Sequence, residues 1–169
     1  KTCEFASRLI SVGIPSTTIA FRHDHTPHHG GVVGMAGTTH VEALASPDGT
    51  VRVWVTDAET AGKLIEKGFG ENHEGKVLLS PEETLFLMEK RQELPVEDTK
   101  GKKMSFDELM KEFTQKDKEF HRKYIVYRDL RGRGFIVKTG FKFGTHYRVY
   151  ERGVKPGEGH AVWLVHVVP

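Results

Sequence analysis

Residues 123–169 read KYIVYRDLRGRGFIVKTGFKFGTHYRVYERGVKPGEGHAVWLVHVVP. The stretch opens on helix-spaced apolar residues, with Gly132 or Gly134 as the stop that a helix C-terminus favours. Residues 135–139, 141–150 and 161–168 follow as three β-type runs. The third, AVWLVHVV, is apolar almost throughout, which predicts a strand buried on both faces and His166 as a hydrogen-bonded core histidine. Between the second and third runs lies a loop rich in Gly and Pro. Tyr150 stands at its start and His160 at its end.

Charge is concentrated in the same region. The whole chain carries a formal +2. Between His121 and Lys155, however, ten Lys and Arg (Arg122, Lys123, Arg128, Arg131, Arg133, Lys138, Lys142, Arg148, Arg152, Lys155) face only Asp129 and Glu151. That excess suits a polyanion-binding face, because each neutralised phosphate releases condensed counterions. The plainer alternative is a solvated surface, and Arg128, Arg131 and Arg133 would complement a helix dipole in any case.

Upstream, Ser105 and Glu108 form a capping box. From there Phe106, Leu109, Met110, Phe113, Phe120, Tyr124 and Tyr127 keep helical spacing, broken only by Asp117. This predicts one amphipathic helix of roughly 25 residues whose aromatic stripe is core rather than a base-stacking platform. Residues 92–103 (QELPVEDTKGKK) are polar, contain Pro95 and Gly101, and read as a boundary. Before them, a helix begins with Ser80 as N-cap, Pro81 in the first turn and Glu83 closing a capping box. KVLLS (76–80) is a short strand, and residues 57–68 form a helix stopped by Gly68. Residues 41–55 predict a hairpin, VEALA and TVRVWV flanking Ser46, Pro47, Asp48 and Gly49.

Residues 1–40 are the least regular part of the chain. His23, His25, His28 and His29 invite a zinc or nickel reading. No Cys joins them and the spacing matches no closed site, so a flexible His-rich loop is the better reading. Elsewhere, no apolar window is long enough for a membrane-spanning helix. The single Cys3 excludes an intramolecular disulfide. Lys1 is not an initiator Met and no signal-peptide pattern follows it. A trimmed chain working in the cytoplasm, with no membrane association, is expected.

The fold class expected is α/β of the α+β type. A small N-terminal mixed α/β domain (1–94, with 1–40 poorly defined) leads through a linker (95–104) to a C-terminal nuclease-like domain (105–169). The latter has a mixed sheet packed by helices and is expected to be incomplete.

A phenol and an imidazole beside a cationic surface suit phosphodiester chemistry on RNA. RNA can be cut by its own 2′-hydroxyl if a protein supplies a base, an acid for the leaving 5′-oxygen and a cation for the phosphorane. His suits acid work near neutral pH. Tyr, with an ordinary pKa near 10, needs nearby positive charge to act as base, and Arg148 and Arg152 are candidates to supply it. His146, in GTHYRVY, is read as a surface or packed residue, with proximity to the site as the alternative.

YIVYRDLRGRGFIVKTGFKFG, then VYERG, then ten residues from Tyr150 to His160 and the closing strand, closely resemble the archaeal tRNA-splicing endonucleases. The resemblance is nearly continuous over 105–169 and looser back through the helices at 57 and 80. It implies Tyr150 as general base and His160 as general acid, with 2′,3′-cyclic phosphate and 5′-hydroxyl products. It also implies precursor tRNA with a bulge–helix–bulge junction as substrate, a homo- or hetero-oligomer with other endonuclease subunits, and no cofactor or metal. Lys138, Lys142, Arg148 and Arg152 are further candidates for RNA-backbone contacts, chosen on charge and location. The family's third catalytic residue, a Lys some thirty residues past the His, has no counterpart here. That leaves three expectations: a remainder on another chain, a truncated or nicked protein, or a non-catalytic structural, RNA-binding subunit.

Overall fold

The computed structural model describes residues 9–10, 18–22, 41–45 and 51–169, apart from 92–93, 99 and 141–143. Side chains are described from residue 51 onward within that set, except at 91. The His-rich stretch 23–29 and Lys142 lie outside the described residues. Two compact units form, one over Val32–His121 and one combining Arg122–Pro169 with Lys1–Gly31. Strands β1 (Leu9–Ile10) and β2 (Thr18–Arg22) belong to the second unit.

In the first unit, β3 (Val41–Ala45) and β4 (Val51–Val55) pair antiparallel, Val41 opposite Val55, as the hairpin reading expects. Helix α1 (Ala58–Glu66) follows, its N-cap Asp57 accepting from the Thr60 backbone N–H at 3.0 Å. It closes as predicted on Gly68, at φ 79°, with Phe69 N–H bonded back to the Leu64 carbonyl. Strands β5 (Glu71–His73) and β6 (Lys76–Leu79) make a second hairpin beside β4. β5 escapes a sequence reading because all three of its residues are exposed and polar.

Helix α2 (Pro81–Arg91) begins with the expected capping box. Ser80 N–H donates to Glu83 Oε1, and Glu83 N–H donates to Ser80 Oγ, both at 3.1 Å. The stretch read as a linker is folded into the same sheet. β7 (Val96–Asp98) runs parallel to β3, and β8 (Lys103–Met104) pairs back onto it. Its polar composition conceals one deeply buried anchor, Val96, 1% exposed. The order β5-β6-β4-β3-β7-β8 places Val53, Val55, Val77, Leu79 and Val96 in one core with Leu64, Leu85 and Leu109. Each such side chain stabilises by about 1.5–3 kcal/mol on burial.

The single long helix expected from residue 105 onward is two helices. α3 (Phe106–Lys116) starts on the Ser105 cap, and α4 (Phe120–Gly132) follows it. Asp117 separates them. Its backbone turns extended, φ −135° and ψ 106°, and its side chain accepts from Glu119 N–H at 3.0 Å at the entry to α4. A short carboxylate that bonds nearby backbone competes with helix continuation.

The second unit is a five-stranded sheet, ordered β1-β2-β11-β10-β9, with β9 (Ile136–Thr139), β10 (Tyr147–Tyr150) and β11 (Trp163–Val167). Every described pairing in it is antiparallel. β11 is not buried on both faces as its composition predicts. Val165 and Val167 are buried, Leu164 is half-buried and His166 is exposed. Alternation along an antiparallel strand gives one core face and one open face, and apolar composition alone does not reveal it.

Candidate active site

Side-chain alternation sorts the C-terminal strands into two faces. Tyr147 and Val149 of β10 share one face with Val137 and Val165. This face meets α4, where the Tyr127 and Tyr147 rings lie 5.9 Å apart and Tyr147 Oη donates to the Lys123 carbonyl at 2.9 Å. Arg148 and Tyr150 share the other face with Lys138, Ile136 and Leu164. Tyr150 pairs directly with Ile136, and both are 4% exposed.

The loop that follows Tyr150 consists of two tight turns. Val154 N–H bonds the Glu151 carbonyl at 3.1 Å with Gly153 at φ 77°. Glu158 N–H bonds the Lys155 carbonyl at 3.0 Å, with Pro156 and Gly157, at φ 92°, between them. Gly at the third position of each turn, and Pro at the second position of the latter, are what a type II turn requires. A bridge between Pro156 and Gly159 closes the second turn, and Val162 N–H then bonds the Val149 carbonyl at 2.8 Å. His160 is exposed and two residues before that bond, within about 8 Å of Cα path. The Gly and Pro of the loop thus return His160 to the sheet end that carries Tyr150.

The candidate cations divide. The Arg148 guanidinium lies 5.9 Å from the Tyr150 ring centroid, while its Nε donates to the Thr139 carbonyl at 2.7 Å. Arg152 is directed elsewhere. Its guanidinium lies 5.3 Å from the Phe135 ring centroid, and its Nε donates to the Arg133 carbonyl at 2.7 Å. Lys138 is half-buried on β9 beside Arg148. Much of the basic cluster also has structural work. Arg131, 9% exposed, donates to the Phe135 carbonyl, and Arg133 pairs with Asp129 at 3.0 Å.

Sequence reading missed a pair on the same face as Tyr150. His146 and His166, the latter expected in the core, are stacked with ring centroids 4.4 Å apart. The two positions meet only in the register that pairs Tyr147 with Val165, and the spacing of the sequence does not reveal that register. Among the described residues, no group of three or more His, Cys, Asp or Glu is placed to hold a metal ion. Nor, among them, is any helix long and apolar enough to cross a membrane.

Compared with known proteins, residues 120–169 match the family described as tRNA intron endonuclease, catalytic C-terminal domain. Residues 49–110 match the tRNA intron endonuclease, N-terminal domain. The chain is 46% identical over 119 residues to the tRNA-splicing endonuclease of Thermococcus kodakarensis, covering 70% of this chain and 68% of the relative. It is 50% identical over 101 residues to that of Thermococcus onnurineus, covering 60% of this chain and 56% of the relative. With that of Pyrococcus horikoshii it is 42% identical over 118 residues, covering 69% and 66%. Two matched domains in this order define the class as an archaeal-type intron endonuclease. The chain belongs to the tRNA-splicing endonuclease family, a family of enzymes.

Proposed function

We propose that this chain is a catalytic-type subunit of an endoribonuclease that cleaves precursor tRNA at intron boundaries. Tyr150, as general base, takes the proton of the 2′-hydroxyl. The 2′-oxygen attacks the adjacent phosphorus, the bond from phosphorus to the 5′-oxygen breaks, and His160 gives its proton to that leaving oxygen. The products are a 2′,3′-cyclic phosphate and a 5′-hydroxyl, formed without a metal cofactor. The substrate is a bulge–helix–bulge junction, and the subunit works in a homo- or hetero-oligomer with other endonuclease subunits. Residues 105–169 carry the chemistry and the preceding part supports it.

The observation that carries this reading is the return of His160, through two turns, to the strand end holding Tyr150, with Arg148 over the phenol ring. A base and an acid on opposite sides of one phosphate need this kind of approach. Incubation with a bulge–helix–bulge RNA in the presence of EDTA tests it. Cyclic-phosphate ends are expected, and cleavage that survives His160→Ala unchanged would exclude the assigned role.

A second reading, a non-catalytic RNA-binding subunit, has one observation in its favour: Tyr150 is 4% exposed. It expects salt-dependent binding to the same RNA and no cleavage until another subunit is added.

A further inference from the structure

The face of the C-terminal sheet that carries Arg148 is closed at Ile136 and Tyr150, half-buried at Lys138, His146 and Leu164 and exposed at His166. Its two histidines and Lys138 have no part in the acid–base chemistry. His146 and His166 stack with planes 20° apart. The ladder accounts for their meeting. Tyr147 pairs with Val165, so 146 and 166 are the next positions across, on the face of Arg148 and Tyr150. His146 stays in the ladder, its N–H on the Val165 carbonyl at 3.0 Å and its carbonyl accepting from Gly140 N–H at 2.9 Å. Val167 N–H donates to His146 Nδ1 at 2.9 Å. That bond sets the ring orientation and leaves the imidazole hydrogen on Nε2. His166, exposed, lies against this fixed ring.

Between the stack and Tyr150 stands Arg148, held by the Thr139 carbonyl, with Lys138 opposite it on β9. Four residues of strand put the stack about 13 Å from Tyr150 along β10. None of the positions on this face from Ile136 to His166 that pair around Arg148 is acidic: they are Ile136, Lys138, Tyr150, Leu164 and His166. A fixed aromatic surface continuous with two cations is the arrangement that accepts unpaired nucleotides, bases on rings and phosphates on Lys and Arg.

We infer that this face is a track for a single-stranded RNA segment leading to the scissile bond, with the His146–His166 stack as its base-stacking platform. Lys138 and Arg148 contact the phosphates between the platform and Tyr150. The inference rests on the proposed endonuclease reading and adds a subsite to it.

The test is fluorescence anisotropy of the full chain with a labelled single-stranded RNA and a duplex RNA of equal length, at one fixed salt concentration. His166→Ala weakens single-strand binding by about tenfold, the order expected for one stacked base, and leaves duplex binding unchanged. His166→Phe restores the affinity and His166→Lys does not, because a ring rather than a charge is needed. Unchanged binding by His166→Ala, or full rescue by His166→Lys, overturns the platform while leaving the endonuclease reading intact. If the unsubstituted protein binds neither RNA, that reading falls and the platform falls with it.

Discussion

Arg152 Nε donates to the carbonyl of Arg133 at 2.7 Å. The bond ties the first turn after Tyr150 to the C-terminus of α4, whose last carbonyls lack helical partners and attract a cation. Arg152→Ala removes this tie and the packing on Phe135. The expected cost is about 1–2 kcal/mol, between an ordinary and a charge-assisted hydrogen bond because the side chain is exposed. A lower urea midpoint and faster amide exchange over residues 151–160 would show it. Unaltered exchange there would show that the loop is held without Arg152.

Gly134 sits under the same side chain. Its φ of 91° closes α4, with Gly134 N–H on the Arg131 carbonyl and Phe135 N–H on the Leu130 carbonyl. A Cβ there would come within 3.3 Å of Arg152 Nε. Gly134→Ala therefore meets backbone strain of about 1–2 kcal/mol and a crowded neighbour. Gly132→Ala, with open space around it, is expected to be tolerated far better. Thermal melts of the two variants side by side decide the matter.

These positions show what the sequence discloses and what it withholds. Gly68, Ser80 with Glu83, and Ser105 mark real helix ends because caps are local chemistry, settled within four residues. The loop between Tyr150 and His160 is legible for the same reason, since Gly153, Pro156 and Gly157 each suit the turn they occupy. Contacts made across the ladder are less legible. The orientation of Arg152 away from Tyr150, the exposure of His166 and the burial of Val96 depend on which strand lies alongside. Asp117 was visible as an interruption, but its ending of α3 depends on the backbone turning extended there.

Two carboxylates, Asp57 and Asp98, give the protein an acid-side dependence. Hydrogen bonds from the Thr60 hydroxyl and then its backbone N–H hold Asp57 below its ordinary value of 3.8. Backbone N–H groups of Lys102 and then Lys100 do the same for Asp98. A folded pKa below the unfolded one means that the stabilisation is fully present above the unfolded value. It is lost as pH falls through the folded value. Melting temperature should therefore decline as pH drops below about 4. Asp57→Ala and Asp98→Ala should each flatten that decline, and profiles parallel to the parent would remove these groups from the account.

Glu83 tests how much one buried carboxylate does for the first unit. At 5% exposure it receives the Gly70 N–H at 2.6 Å through Oε2 and the Ser80 N–H through Oε1. Glu83→Ala strands one buried donor and removes half a capping box, a loss of about 2–3 kcal/mol. Gly70→Ala attacks the same junction from the other side, at φ 73°, where a Cβ would run into the Val77 side chain. Both variants should unfold at lower urea concentration, and the double variant should lose less than the sum, since the two changes share one contact. Full additivity in that cycle would separate Gly70 from Glu83 energetically.

Tyr150 and His160 should behave as one unit in cleavage. A positioned acid or base contributes about 10²- to 10⁴-fold. Tyr150→Phe and His160→Ala should each lower the single-turnover rate by that order. The double variant should be only slightly slower than the worse single one, because removing either proton path already stalls the same transfer. His160 is exposed, so its substitution should leave the unfolding free energy within about 0.5 kcal/mol of the parent. Tyr150 is buried, and Phe keeps its ring, which separates loss of the hydroxyl from loss of packing. Multiplicative losses would mean that the two groups act in different steps, and an unchanged rate in Tyr150→Phe would take the phenol out of the reaction.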